Sequence, residues 1–166
     1  MKNKYLFLDF DGCLNHADWY KKLHDKDSPY FNLTYPISEF DPECVNRVNN
    51  ILDKTGATLV ISSSWRMDDY LYITMKRVGL PEKFDCTPYC YIDEHWDEDG
   101  YHSFKNLCRG EEIARYLKDK ENYNYCIIDD IEDFYDYQME YFLKCYEYKG
   151  GLTDDIMNKA IEILNR

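Results

Sequence analysis

Tyr5-Leu6-Phe7-Leu8 is an apolar run without a polar face, and it leads straight into Asp9-Phe10-Asp11-Gly12. So short a run, closed by a glycine, reads as a strand buried on both faces. Strands of that kind sit in parallel sheets with helices packed on either side, which leaves few folds open to the chain. Alternate strand residues share a face, so Asp9 and Asp11 can converge where the strand gives way to a loop. Gly12 allows a sharp turn there and a close backbone approach to a ligand. Paired carboxylates at a strand's carboxyl end suit a metal ion, or a nucleophile working beside an acid/base. The plain alternative is a solvated turn, since Asp and Gly are common turn formers.

Two further runs repeat the pattern. Ala57-Thr58-Leu59-Val60-Ile61 ends in Ser62-Ser63-Ser64-Trp65-Arg66, and Asn124-Tyr125-Cys126-Ile127-Ile128 ends in Asp129-Asp130. Between them Arg109-Gly110 opens an amphipathic stretch with Ile113, Tyr116 and Leu117 on one face. Helices alternate with these strands. Asp41-Pro42-Glu43 predicts a helix start, with Val45, Val48 and Leu52 inward and Gly56 as the stop. A second helix is expected from about Asp68 to Val78, a short one from Phe134 to Tyr141, and a last one capped by Thr153. Phe84–Pro88 and Phe142–Tyr146 read as further strands, and Asp93–Asp99 as an acidic loop. Residues 15–41, broken by Pro29 and Pro36, read as an insert over the site. Strand–helix alternation predicts a parallel sheet whose ligands bind beyond the strands' carboxyl ends, where each of these polar clusters falls.

Acid pair, hydroxyl, cation, acid pair: from Asp9 to Asp130 this order resembles the motifs of the haloacid dehalogenase (HAD) superfamily of phosphohydrolases. Asp9-Phe10-Asp11-Gly12-Cys13-Leu14 matches the first motif, with Cys13 where that superfamily more often has Thr or Val. Ser63-Ser64-Trp65-Arg66, Asp129-Asp130 and Gly151-Leu152-Thr153 narrow the likeness to the HAD domain of the so-called Swiss Army Knife RNA repair proteins. The resemblance implies one domain over residues 1–166, a three-layer α/β/α Rossmann-like HAD fold with a mainly parallel sheet and no large cap. It implies that residues 15–41 form a helical turn and a hairpin flap. It assigns Asp9 as nucleophile, Asp11 as general acid/base, and Ser62 and Arg109 as the groups on the phosphoryl oxygens. Mg²⁺ would be held by Asp9, the Asp11 backbone carbonyl and Asp129, with Asp130 supporting. Gly12, Ser63, Arg66 and Lys105 are further substrate-binding candidates. Ser63 is the alternative to Ser62, and Lys105 to Arg109, because the superfamily's third motif usually carries lysine. The implied substrate is a phosphate monoester, with nucleic-acid ends as one class and small metabolites or phosphoproteins as others.

Composition sets limits on these readings. A net charge of −12 argues against broad, sequence-independent nucleic-acid binding, yet leaves room for a pocket that grips one terminal phosphate. No apolar run approaches the roughly 20 residues of a membrane span. The first strand begins within a few residues of Met1, so no signal peptide is expected and the cytoplasm is the default location. Seven cysteines, an odd number, are expected as reduced thiols. Cys86, Cys90, His95 and His102 imitate a zinc set only loosely, since no second tight pair follows. No cysteine stands six positions before an arginine, which excludes the Cys-x5-Arg loop of cysteine phosphatases. A response-regulator receiver would need a phosphoacceptor Asp after a middle strand, where this chain has serines. A metal-dependent nuclease could use the same carboxylates but has no need of Ser62 and Arg109. A non-catalytic binding module would not need Asp9 and Asp11 intact.

Overall fold

The computed structural model describes residues 2–96, 102–106 and 108–166, with backbone only for 91–96 and 102–106. In chain order the elements are β1 (Asn3–Leu8), α1 (Ala17–His24), α2 (Pro42–Thr55), β2 (Thr58–Ile61), α3 (Leu71–Val78) and β3 (Asp85–Cys86), then β4 (Tyr91–Trp96), β5 (His102–Asn106), α4 (Arg109–Leu117), β6 (Tyr123–Asp129), β7 (Phe142–Lys144) and α5 (Asp154–Leu164). Strands β3-β2-β1-β6-β7 form one sheet, and every pairing in it is parallel. Leu6, Leu8, Ile61 and Ile128 face Val45, Val48, Met75 and Ala160 from α2, α3 and α5. Phe7, Val60 and Ile127 face Ile113 and Leu117 of α4 on the other side. Strand residues thus alternate between two apolar layers, which is why β1 and β6 are apolar at successive positions. The result is the three-layer α/β/α arrangement.

Sheet order places the site. The chain builds outward from β1 through β2 to β3, then crosses over by α4 to β6 on the other flank of β1. The order therefore reverses between β1 and β6, and an open crevice is expected beyond their carboxyl ends. Leu8 is in register with both Ile61 and Ile128, so the residues that follow, Asp9, Ser62 and Asp129, stand side by side. Asp9 N donates to Ile128 O at 2.9 Å and Ser62 N to Leu8 O at 3.0 Å, continuing the ladder to the brink of the crevice.

The helix boundaries follow local chemistry. Asp41 caps α2 by accepting from Glu43 N at 2.9 Å, and Gly56 ends it at φ 66° with its N–H on Leu52 O. Thr153 Oγ1 accepts from Ile156 N to start α5. Elsewhere the structure departs from the sequence reading. The second helix begins at Leu71, preceded by a 3₁₀ turn over Ser64–Met67. The expected helix before β7 is a 3₁₀ stretch, Asp136–Tyr141, and β7 stops at Lys144. Residues 15–41 form no hairpin. They hold α1, whose His16 accepts from Trp19 N and whose last turn carries Lys21, Lys22 and His24, favourable ends for a helix. The hairpin lies between β3 and α4 instead: β4 pairs antiparallel with β5, with a register irregularity between Ile92 and His95. That corrects the acidic-loop reading for residues 93–96, where interleaved charges hid the strand; residues 97–99 lie outside the described ones. Among the described residues no helix is long and apolar enough to cross a membrane.

Candidate active site

Four elements deliver polar groups to the crevice: the loops after β1, β2 and β6, and the first turn of α4. Asp9 is 3 % exposed, and Ser62 and Asp129 are fully buried. Arg109, the first residue of α4, reaches across all three loops. Its Nη1 donates to Asp9 Oδ1 at 2.7 Å and to the Ser62 carbonyl at 2.8 Å, and lies 3.3 Å from Asp129 Oδ2. Arg109 is thus the cation that meets the first acidic motif; the Lys105 side chain lies outside the described residues.

The start of α4 is fixed from the far side of β6. Asp133 Oδ2 accepts from Arg109 N at 3.0 Å, and the Asp133 carbonyl accepts from Gly110 N at 2.9 Å. Asp133 therefore serves as a helix cap. Gln138, fully buried, donates from Nε2 to Gly110 O at 2.9 Å and accepts from Tyr135 N at 2.9 Å. A Cβ on Gly110 would stand 2.9 Å from both Phe134 Cα and Tyr135 N, so only glycine lets α4 come this close. The sequence marks Asp133 as a helix-start residue rather than a metal ligand, and nothing local marks Gly110 or Gln138 as supports of the site.

Burial of so many carboxylates around one guanidinium leaves them short of compensation. Burial pushes Asp129 up to about 7, reinforced by repulsion from Asp9 and opposed by Arg109. Asp9 is also raised by burial, although Arg109 and the Ser63 hydroxyl pull it back. Burial and the Asp9 charge raise Asp130 likewise. Asp9, Asp129 and Asp130 each offer a carboxylate oxygen, and these atoms lie within 4.8 Å of one another. Asp129 Oδ1 accepts from Ile131 N at 3.0 Å, while its buried Oδ2 has an ion-pair distance to Arg109 but no hydrogen bond among the described residues. Such a set of hard oxygens, with one orphaned and no thiolate or imidazole among them, fits a magnesium-type cation.

Asp11, Gly12 and Arg66 each have partners within the protein. The Asp11 carboxylate is turned to Asn15 Nδ2 at 2.7 Å and Trp65 Nε1 at 3.1 and 3.2 Å, leaving its backbone carbonyl as its route to a metal. Gly12 does not offer its N–H to a ligand, because that group donates to Asn15 O at 2.9 Å. Its φ of +70° and missing Cβ instead make room for Asp130, whose Oδ2 would lie 2.5 Å from any Cβ there. Arg66, expected at the substrate, is committed beneath the site. Its Nη1 donates to the Ser62 and Ser63 carbonyls, and its Nη2 to both oxygens of Glu112, all at 2.7 Å. Both side chains are at most 5 % exposed. This buried pair ties the serine loop to α4 one turn beyond Arg109.

The two serines are distinguished by their partners. Ser63 Oγ accepts from Trp65 N at 3.4 Å, whereas buried Ser62 Oγ has no hydrogen-bond partner among the described residues. A second cluster, His16, Asp41 and Cys44, also brings ligand-type atoms together. Its bonds are already used: His16 Nδ1 accepts from Trp19 N, so Nε2 carries the proton and donates to Asp41 Oδ2 at 3.1 Å. The Cys44 thiol donates to Leu152 O. That cluster is a structural tie between α1 and α2. The seven cysteines are all free thiols.

Comparison with known proteins places the chain in one family. No curated protein and no solved structure gave a match. The family described as the HAD domain in Swiss Army Knife RNA repair proteins matches residues 5–156, from the first buried strand into α5. That span takes in each of the four polar clusters at the crevice, and the chain belongs to this HAD-domain family.

Proposed function

We propose that the protein is a Mg²⁺-dependent phosphatase that works through an aspartyl-phosphate on Asp9. The observation that carries this reading is the Arg109 guanidinium 2.7 Å from Asp9 Oδ1 beside two further buried or half-buried carboxylates. A buried carboxylate gripped by a cation, at the mouth of a parallel sheet, is arranged to attack an electrophile that brings negative charge with it. Asp9 attacks phosphorus, the ester oxygen departs with its electron pair, and Asp11 supplies the proton to it. Asp11 then takes a proton from the water that hydrolyses the aspartyl-phosphate. Arg109 and Ser62, whose hydroxyl has no partner among the described residues, hold the phosphoryl oxygens as charge builds on them.

Asp9, Asp129 and the Asp11 carbonyl would hold Mg²⁺, with Asp130 in support. Bound there, the cation supplies the positive charge that lets a carboxylate meet a phosphate dianion, and draws the raised carboxylates back to their ionised forms. The family's description supports nucleic-acid end processing, such as removal of a terminal phosphate, as the substrate class. The chain's net charge of −12 favours recognition of the end over recognition of a long backbone track.

The test is phosphate release from a nitrophenyl phosphate with and without Mg²⁺, followed by a comparison of 3′-phosphorylated RNA, 3′-phosphorylated DNA, nucleotides and phosphopeptides. Activity that requires Mg²⁺, disappears in Asp9→Asn and is greatest on an oligonucleotide end supports the whole reading. Unchanged turnover in excess chelator, or in purified Asp9→Asn, overturns the mechanism. A preference for nucleotides or phosphopeptides overturns the substrate class alone.

A further inference from the structure

Asp11 is solvent-exposed, and an exposed aspartate ordinarily samples several rotamers. Here it does not stand free. The Trp65 indole Nε1 donates to both carboxylate oxygens, at 3.2 and 3.1 Å, and Asn15 Nδ2 donates to Oδ1 at 2.7 Å. Both donors are themselves held. The Trp65 ring lies edge-on to Phe10 with centroids 6.0 Å apart and tilted against Phe40 at 5.2 Å. Phe10 is fully buried and Phe40 is 1 % exposed, so the wall behind the indole is core. Ser63 Oγ accepts from the Trp65 backbone N–H, and Asp68 N donates to its carbonyl, fixing the turn that carries it. Asn15 is 5 % exposed, its carbonyl accepts from Gly12 N, and it forms an isolated bridge with Asp11.

We infer that Trp65 and Asn15 are positioning residues that fix the Asp11 carboxylate for proton transfer. This inference rests on the phosphatase reading above, in which Asp11 serves as acid and then as base. Rotamer freedom in the proton donor would scatter it over positions several ångströms apart, and a misplacement of about 1 Å can cost roughly a hundredfold in rate. Two fixed donors on three bonds restrict it to one. Trp65 thereby links the serine loop after β2 to the acid/base on the loop after β1, so both loops adopt their working geometry together. The packing of Trp65 on Phe10 and Phe40 supplies rigidity, and its N–H supplies aim.

Trp65→Phe keeps an aromatic ring on that wall and removes the N–H; Asn15→Ala removes one donor and keeps the backbone bond to Gly12. Each should lower turnover of an alkyl phosphate about tenfold to a hundredfold. Phosphoryl-enzyme formation from a nitrophenyl ester should change little, since that leaving group needs no proton. In an Asp11→Asn background neither substitution should lower the rate further. An equal loss on both leaving groups, or an undiminished loss in the Asp11→Asn background, would show that Trp65 acts through packing and overturn the inference. Wild-type rates in both single variants would also overturn it, provided Asp11→Asn itself is impaired. If Asp11→Asn and Asp9→Asn both retain full activity, the phosphatase mechanism fails instead. A readout that needs no turnover is the indole N–H resonance of Trp65. It should move and exchange faster with solvent in Asp11→Ala, and an unchanged resonance would refute the contact itself.

Discussion

Asp129→Asn should stabilise the metal-free protein while removing its response to Mg²⁺. Asp129 is fully buried and its carboxyl is raised from 3.8 to about 7, chiefly by burial and then by the Asp9 charge. Because the folded pKa lies above the unfolded one, the folded state holds a proton that the unfolded state releases. Stability is therefore greatest below about pH 4, falls as pH rises through the interval to about 7, and is flat beyond it. The shift of about three units corresponds to an upper limit of ~4 kcal/mol, and sharing of the proton with Asp9 brings the expected gain to about 2–4 kcal/mol at pH 8. Asparagine keeps the oxygen that accepts from Ile131 N, so the loop after β6 retains its bond. Urea denaturation in chelator at pH 8 should show a raised midpoint with unchanged slope, and the difference should shrink at pH 5. Adding Mg²⁺ at a hundred times its dissociation constant should stabilise wild type by about 2.7 kcal/mol and the variant by much less. A variant less stable than wild type in chelator at pH 8, or a gain of the same size at pH 5, would refute the electrostatic reasoning.

Further outcomes follow from the same contacts. Glu112→Gln leaves buried Arg66 without its anionic partner and should cost about 3–5 kcal/mol, read by urea denaturation. Gly110→Ala forces backbone at Phe134 and Tyr135 to shift, and should cost about 1–3 kcal/mol while lowering activity by displacing Arg109. Arg109→Lys keeps the charge but cannot span Asp9, the Ser62 carbonyl and Asp129 at once, so kcat measured with a nitrophenyl ester should fall while the protein stays folded. With oligonucleotide ends as substrate, kcat/KM should stay flat or rise between about 50 and 200 mM salt, opposite to the steep fall of proteins that track a phosphate backbone.

Much of this was legible in the chain because strand ends in a parallel sheet are marked twice, by an apolar run and by its abrupt polar stop. That mark points to Asp9, the serine run and Asp129, the family resemblance offers Ser62 with Ser63 as the alternative, and the three positions are adjacent because β1 lies between β2 and β6. Arg109 was readable as the start of an amphipathic helix. What resisted reading depends on tertiary partners. Arg66 carries the same charge whether it meets a substrate or Glu112, and nothing local distinguishes the two. Gly12 and Gly110 look like turn and helix-start residues, yet the structure uses the space left by their missing Cβ atoms. The β4–β5 hairpin was hidden because Asp93-Glu94-His95 breaks any apolar alternation between Tyr91-Ile92 and Trp96, a pattern that suits a loop as well as a strand.

Charge connects these observations. The crevice brings Asp9 and Asp129 to Arg109 with Asp130 beside them, so among the described residues its carboxylates outnumber its cation, in a chain whose net charge is already −12. A phosphate dianion approaching such a surface would be repelled, in the crevice too, were no divalent cation held there. Under the proposed mechanism the cation does more than assist the chemistry: it reverses the sign of the local field for the one group that fits beside Arg109. A second anionic group along the same ligand finds no such reversal. Under the proposed function, this charge arrangement favours a terminal phosphate over an internal phosphodiester before any base or sugar is read.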